Sequence, residues 1–209
     1  MRWLLTLCAL ISLPAFAANP LVKVETSKGD IVIELYADKA PKSVANFLQY
    51  VDDGFYNGTV FHRIIDGFMI QGGGFDQQYQ QKATRPAVEN EADNGLINRR
   101  GTIAMARTND PHSATAQFFI NTVNNSSLDH RDKSQRGWGY TVFGRVTKGL
   151  GIVDIIEKSQ TGSGSLGGYP ARDVPRDAIV IKTVSRVAEG KPAAAPAKKS
   201  EADAEPTSK

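Results

Sequence analysis

The chain has 209 residues, enough to bury one substantial core, and with 41% hydrophobic and 22% charged residues it has the composition of a globular protein. Its 25 Lys and Arg face 22 Asp and Glu, a net charge of +3, and no basic run carries interleaved aromatics, so nothing points to nucleic acid. The single cysteine, Cys8, rules out a disulfide framework.

Residues 1–17 read as a cleavable signal peptide. Arg2 gives a positive start, Trp3 to Leu13 an apolar run, and Ala15-Phe16-Ala17 a small-residue cleavage site. The run is too short for a membrane-spanning helix, which needs ~20 apolar residues. Cleavage would remove Cys8 and with it thiol catalysis and cysteine-ligated metal, leaving no membrane anchor. The expected location is the periplasm, since an exported chain without cysteine suits a bacterial envelope.

A domain is expected over 18–188. Val22, Val24 and Thr26 alternate with Lys23 and Glu25, and after a Lys28-Gly29 turn Ile31, Ile33 and Leu35 alternate in the same way, giving two strands. Pro41 opens a helix whose apolar residues Val44, Phe47, Leu48 and Val51 fall on one face, with Gly54 just past its end. Phe61 to Gln71 reads as a hairpin around Asp66-Gly67. A long polar loop, 72–100, follows, of a length that usually marks function. Further strands are expected at Thr102–Ala106, Gln117–Thr122, Tyr140–Val146 and Ala178–Val187, with a second helix at Leu150–Lys158; 159–177 receives no element. Many short strands with Gly turns and two helices suggest a closed barrel or a sandwich. From 189 to 209 the chain is rich in Ala, Pro, Lys and Glu and lacks core residues, so a disordered tail is expected.

Most catalytic templates are missing. His62, His112 and His130 have no zinc-site spacing, there is no G-x-S-x-G, and Gly72-Gly73-Gly74 lacks the Lys-Ser/Thr of a phosphate loop. No metal or cofactor is therefore expected. What stands out is Arg63 among Phe61, Ile64 and Ile65. It either faces solvent on a one-sided sheet or is held at the edge of an apolar pocket to meet a ligand. In the later Gln117-Phe118-Phe119, period-two alternation sends the two phenylalanines to opposite faces, one into the core and one toward a groove.

The strings FHRIIDGFMIQGG, GTIAMA and AQFFI, followed by LDH and VFGRV, resemble the cyclophilin family of peptidyl-prolyl cis-trans isomerases in order over 22–187, most closely its periplasmic Gram-negative branch. That resemblance implies a mainly β fold, a closed eight-stranded antiparallel β-barrel capped by two α-helices. It implies an isomerase acting on Xaa-Pro bonds of exported polypeptides during folding, expected to act as a monomer. By position it makes Arg63 and Gln71 catalytic. Phe68, Met69, Phe119 and Leu128 become walls of a pocket for the proline ring, with Ala106 and Gln117 as further lining and His62 behind the arginine. Gly72 and Gly73 would let the backbone pass close beside the groove.

Three positions depart from the best-known eukaryotic pattern. Ser127 replaces a tryptophan associated with cyclosporin binding, so weak affinity for that drug is expected. Tyr140 replaces a histidine and Arg107 an asparagine. Two other readings stay open on the sequence: a non-catalytic module binding proline-containing segments through the same groove, and a lipocalin-type barrel holding an apolar ligand inside.

Overall fold

The computed structural model describes residues 19–187. The expected signal peptide (1–17) and the expected tail (189–209) both lie outside the described residues. In chain order the elements are β1 (Leu21–Thr26), β2 (Gly29–Leu35), α1 (Pro41–Asp52), β3 (Thr59–Ile65), β4 (Met69–Asp76), β5 (Thr102–Met105), β6 (Phe118–Asn121), a single 3-10 turn (Ser126–Leu128), β7 (Val142–Lys148), α2 (Leu150–Glu157), β8 (Thr161–Leu166), β9 (Tyr169–Pro175) and β10 (Ile179–Arg186).

Eight strands close a barrel in the order β1-β10-β3-β4-β6-β5-β7-β2, every pair antiparallel. Closure leaves no free edge. The interior is filled by alternate strand residues, among them Val22, Ile31, Ile33, Phe61, Ile70, Ile103, Phe118, Phe143 and Ile181, all fully or almost fully buried. A barrel of this kind is a packed core, and the lipocalin-type alternative loses its ligand cavity.

The helices close opposite ends. On α1, Phe47 packs its ring against Phe118 (5.7 Å, edge-on) and Phe143 (5.3 Å), while Asp52 accepts hydrogen bonds from Arg186 at the end of β10. On α2, Ile152 sits over Gly29 at the other end of β1 and β2, where a Cβ would meet its Cδ1 at 2.6 Å. The predicted start of α1 holds: Pro41 occupies its first turn, and Gly54 follows it with φ +65°.

Four sequence expectations need correction. First, β4 runs on to Asp76, so the loop starts later than expected. Second, β8 and β9 form a separate hairpin in the unassigned stretch. Gly167 and Gly168 both take positive φ (59° and 85°) in its two-residue turn, the backbone a type I′ turn demands. Third, the expected strands at Ala106, Gln117 and Tyr140 stop short: β5 ends at Met105, β6 begins at Phe118 and β7 begins at Val142, although Ala106 N–H still donates to the Gln117 carbonyl at 2.9 Å. Fourth, Gly72 and Gly73 serve the core, since a Cβ on Gly72 would lie 2.9 Å from the Phe61 ring, and one on Gly73 would lie 2.8 Å from the Phe118 ring and 2.9 Å from that of Tyr56.

Candidate active site

The hairpin β3-β4 poses a packing problem. Phe61 and Ile64 both point into the barrel, yet they are three residues apart, an odd spacing that strict alternation cannot satisfy. A β-bulge resolves it: Phe61 pairs with Gly72 and Arg63 with Gln71, so His62 and Arg63 together oppose one residue of β4. The bulge keeps both apolar side chains inside and turns Arg63 outward. Its side chain is 42% exposed, at the rim of a cleft on the outer barrel face.

The cleft is built from the alternate, outward residues of the strands that fill the core. Met69 on β4, Phe119 on β6, Ala104 on β5 and Val142 on β7 form a second apolar cluster, onto which Phe68, Ala106, Leu128 and Tyr140 pack. Nine residues line it: Arg63, Phe68, Met69, Gln71, Ala106, Arg107, Phe119, Leu128 and Tyr140. Phe118 and Phe119 divide as alternation requires, Phe118 into the core and Phe119 into this floor. A guanidinium and an amide thus stand over an apolar hollow of about 110 Å³.

The polar rim is held by specific bonds. Gln71 Nε2 donates to Gln117 Oε1 at 2.9 Å, although Gln117 itself lies just outside the lining. Room for Gln117 comes from Gly74, where a Cβ would lie 2.6 Å from the Gln117 Cδ. Gly74→Ala is therefore expected to displace Gln117, free Gln71 and lower activity several-fold at a stability cost of about 1–3 kcal/mol. A peptide-isomerisation assay beside a thermal melt checks it, and unchanged activity would separate Gln117 from the site's function.

Arg107 and Tyr140, two of the departures, form one unit. The guanidinium lies 4.5 Å from the Tyr140 ring centroid, and Arg107 Nε donates to the Gly139 carbonyl at 3.0 Å. Tyr140 in turn meets the Phe119 ring edge-on at 5.7 Å. A cation-aromatic stack thus builds one wall.

His62 does not line the cleft. Its ring is buried behind Arg63 and tilts against Phe75 at 4.6 Å. Burial pushes its pKa from 6.5 down to about 4, and the neighbouring Arg63 charge pushes the same way, against hydrogen bonding to the Val60 backbone and Gln117. The imidazole is neutral at physiological pH. Being depressed, its pKa removes stability only in acid, progressively as pH falls from 6.5 toward 4, where the unfolded chain binds the extra proton.

Sequence reasoning overlooked what holds the walls in place. Asn125 Nδ2 donates to the Phe68 carbonyl (2.8 Å) and to Asn121 Oδ1 (2.7 Å); Asn121 Nδ2 donates to Asn98 Oδ1 (3.1 Å); Asn98 Nδ2 donates to the Leu128 carbonyl (3.1 Å). All three asparagines are buried. The network ties together the backbones of two wall residues. An asparagine inside an expected strand was the available signal, because Asn is depleted there. The long polar loop supplies Asn98 and also Asn94, which donates to the Val142 carbonyl at 3.0 Å. Its role here is support, as none of its residues lines the cleft.

Comparison with known proteins bears on the family and the fold. The family model described as cyclophilin type peptidyl-prolyl cis-trans isomerase/CLD matches residues 21–186. Over 165 residues the chain is 52% identical to peptidyl-prolyl cis-trans isomerase B of Escherichia coli, covering 79% of this chain and 98% of that protein. Over 172 residues it is 54% identical to peptidyl-prolyl cis-trans isomerase A of Dickeya dadantii, covering 81% and 87%. Among solved structures, a cyclophilin type isomerase of Cryptosporidium parvum superposes with a TM-score of 0.66 at 26% identity, covering 82% of this chain and 99% of that one. A second structure described in the same words, solved in the presence of the dipeptide Ala-Pro, gives a TM-score of 0.63 at 27% identity, covering 79% and 97%.

Proposed function

The chain belongs to the cyclophilin-type peptidyl-prolyl cis-trans isomerases and is an enzyme of that class, and from this premise we propose how its own residues lower the barrier and where it works. The observation that carries the mechanism is the pairing of one half-exposed guanidinium with an apolar hollow, Arg63 over Met69, Phe119 and Leu128.

The barrier of ~18–20 kcal/mol comes from amide resonance. Rotation through the twisted state returns the lone pair to the prolyl nitrogen. An Arg63 N–H directed at that nitrogen gains strength as the lone pair appears, so it binds the twisted amide better than either planar isomer. Each ~1.4 kcal/mol of that difference is tenfold in rate. The proline ring sits in the hollow, and the displaced water strengthens the charge-assisted bond. Gln71, held by Gln117, grips the backbone on one side of the rotating bond, so the other side turns. No proton changes hands, and the neutral, buried His62 is a packing residue behind the arginine.

The clients we propose are proline-containing exported polypeptides, met in the periplasm while slow isomerisation limits their folding. The signal-like segment 1–17 supports this reading. The enzyme acts as a monomer, and Ser127 in place of a tryptophan makes its affinity for cyclosporin weak.

Magnetisation-exchange NMR on an Ala-Pro peptide without ionisable side chains tests the site. At substoichiometric protein, with chelator present and no nucleotide, cis-trans cross-peaks should grow well above the spontaneous rate, and amide shifts should centre on Met69, Phe119 and Leu128. Background exchange, or shifts away from these residues, would overturn it.

A further inference from the structure

The structure assigns Asp173 as a positioning residue for Arg63, a role that rests on the catalytic reading of Arg63. Asp173 lies on β9, in the hairpin outside the barrel. Its Oδ2 is 3.7 Å from Arg63 Nε. Two features of the backbone show that the side chain is aimed there.

The first is a bulge. On β8-β9, Gly162 pairs with Val174 and Gly164 with Ala171, so Arg172 and Asp173 together oppose Ser163. Bulges re-aim side chains. Arg63 stands in a bulge of its own on β3, and the two bulges face each other.

The second is conformation. Asp173 has φ +61°, and only Tyr79 shares a positive φ among the described non-glycine residues. Aspartate tolerates this region better than most residues, but glycine would sit there with less strain. Strained residues that persist tend to mark function. Tyr79 also contacts the hairpin: its carbonyl accepts from Gly167 N–H at 2.8 Å, and its hydroxyl donates to the Pro175 carbonyl at 3.4 Å. The Tyr79 contacts hold the hairpin to the turn after β4, while Asp173 faces β3.

The placement fits the chemistry. β10 pairs with β3 only from Thr59 to Phe61, so the half of β3 that carries Arg63 has no strand partner on that side, and β9 packs beside β3. Both charged side chains are about two-fifths exposed, so the pair adds little to folding stability. A carboxylate behind Nε restricts a long, flexible side chain and leaves the terminal nitrogens toward the cleft. Preorganisation of this kind acts on rate.

The test compares Asp173→Asn and Asp173→Gly with the parent, each also in an Arg63→Ala background. Asparagine keeps the shape and tolerates positive φ, and glycine relieves the strain. Both single variants should lose about two- to fivefold in kcat with KM nearly constant, the range an exposed pair can supply. Asp173→Gly should melt no lower than the parent. In Asp173→Asn the Arg63 Nε–H resonance should shift and exchange faster with solvent, a change that a purely structural role would not produce. Neither substitution should matter once Arg63 is gone. A parental kcat in Asp173→Asn, or an equal loss in the Arg63→Ala background, would overturn the assignment while the catalytic reading of Arg63 stands. Parental activity in Arg63→Ala itself would remove both.

Discussion

Arg63→Ala is expected to lower kcat/KM on an Xaa-Pro peptide by about 10²–10³, the loss seen when a positioned transition-state donor is deleted. Its melting temperature should stay close to the parent's. The separation follows from geometry. The bulge at His62-Arg63 turns this side chain out of the barrel, so its removal opens no core cavity. Its recorded ion-pair partner, Asp173, is itself 39% exposed, so no buried charge is stranded. Arg63→Lys should recover only part of the rate, since an ammonium replaces the planar fork with a point donor. Peptide isomerisation beside a thermal melt checks all three proteins, and a variant that loses stability in proportion to rate would make Arg63 a structural residue.

Phe118→Ala and Phe119→Ala should fail in opposite ways although the residues are adjacent. Phe118 is fully buried among Phe47, Tyr56 and Phe61, with ring centroids 5.6–6.2 Å away and edge-on contacts to each. Deleting its ring should cost about 3–5 kcal/mol. That is a large share of a typical folding free energy. The rate per folded molecule should change little. Phe119, 5% exposed on the outer face, carries the floor of the cleft and the edge contact to Tyr140. Its loss should weaken peptide binding and cut kcat/KM at least tenfold, with a smaller stability cost. Denaturant unfolding beside steady-state kinetics separates the two. Matching losses in both variants would show that the inner and outer faces do not divide their work.

Alternation and turn chemistry made most of the barrel legible. The residues that β1 and β2 bury are the alternating Val22, Val24, Thr26, Ile31, Ile33 and Leu35, and the α1 stripe is the one that packs. The hairpin at Phe61 was recognisable, but the bulge within it was not. Period-two logic places Phe61 and Arg63 on one face, and only the pairing with Gly72 and Gln71 shows how Arg63 escapes the core. β8 and β9 stayed hidden because Gly162, Ser163, Gly164 and Ser165 give no apolar alternation; the Gly167-Gly168 turn was the one signal available. The nine lining residues come together from the β3-β4 hairpin and four later segments, which no local pattern could assemble. The resemblance to a known family supplied them by position. It misjudged the two glycines, whose missing Cβ atoms make room for core rings, and it overlooked the asparagines behind the cleft walls.

The central claim is that this site lowers the barrier by binding a twisted amide, with no proton transferred. The most direct test is the pH profile of kcat/KM for a peptide without ionisable side chains, between about pH 6 and pH 8.5. A guanidinium does not titrate in this range, and His62, pushed to about 4 by burial, stays neutral. The profile should be flat. A limb or a bell with an apparent pKa inside that window would mean that a titrating group takes part in the rate-determining step, and the account given for Arg63 would be wrong.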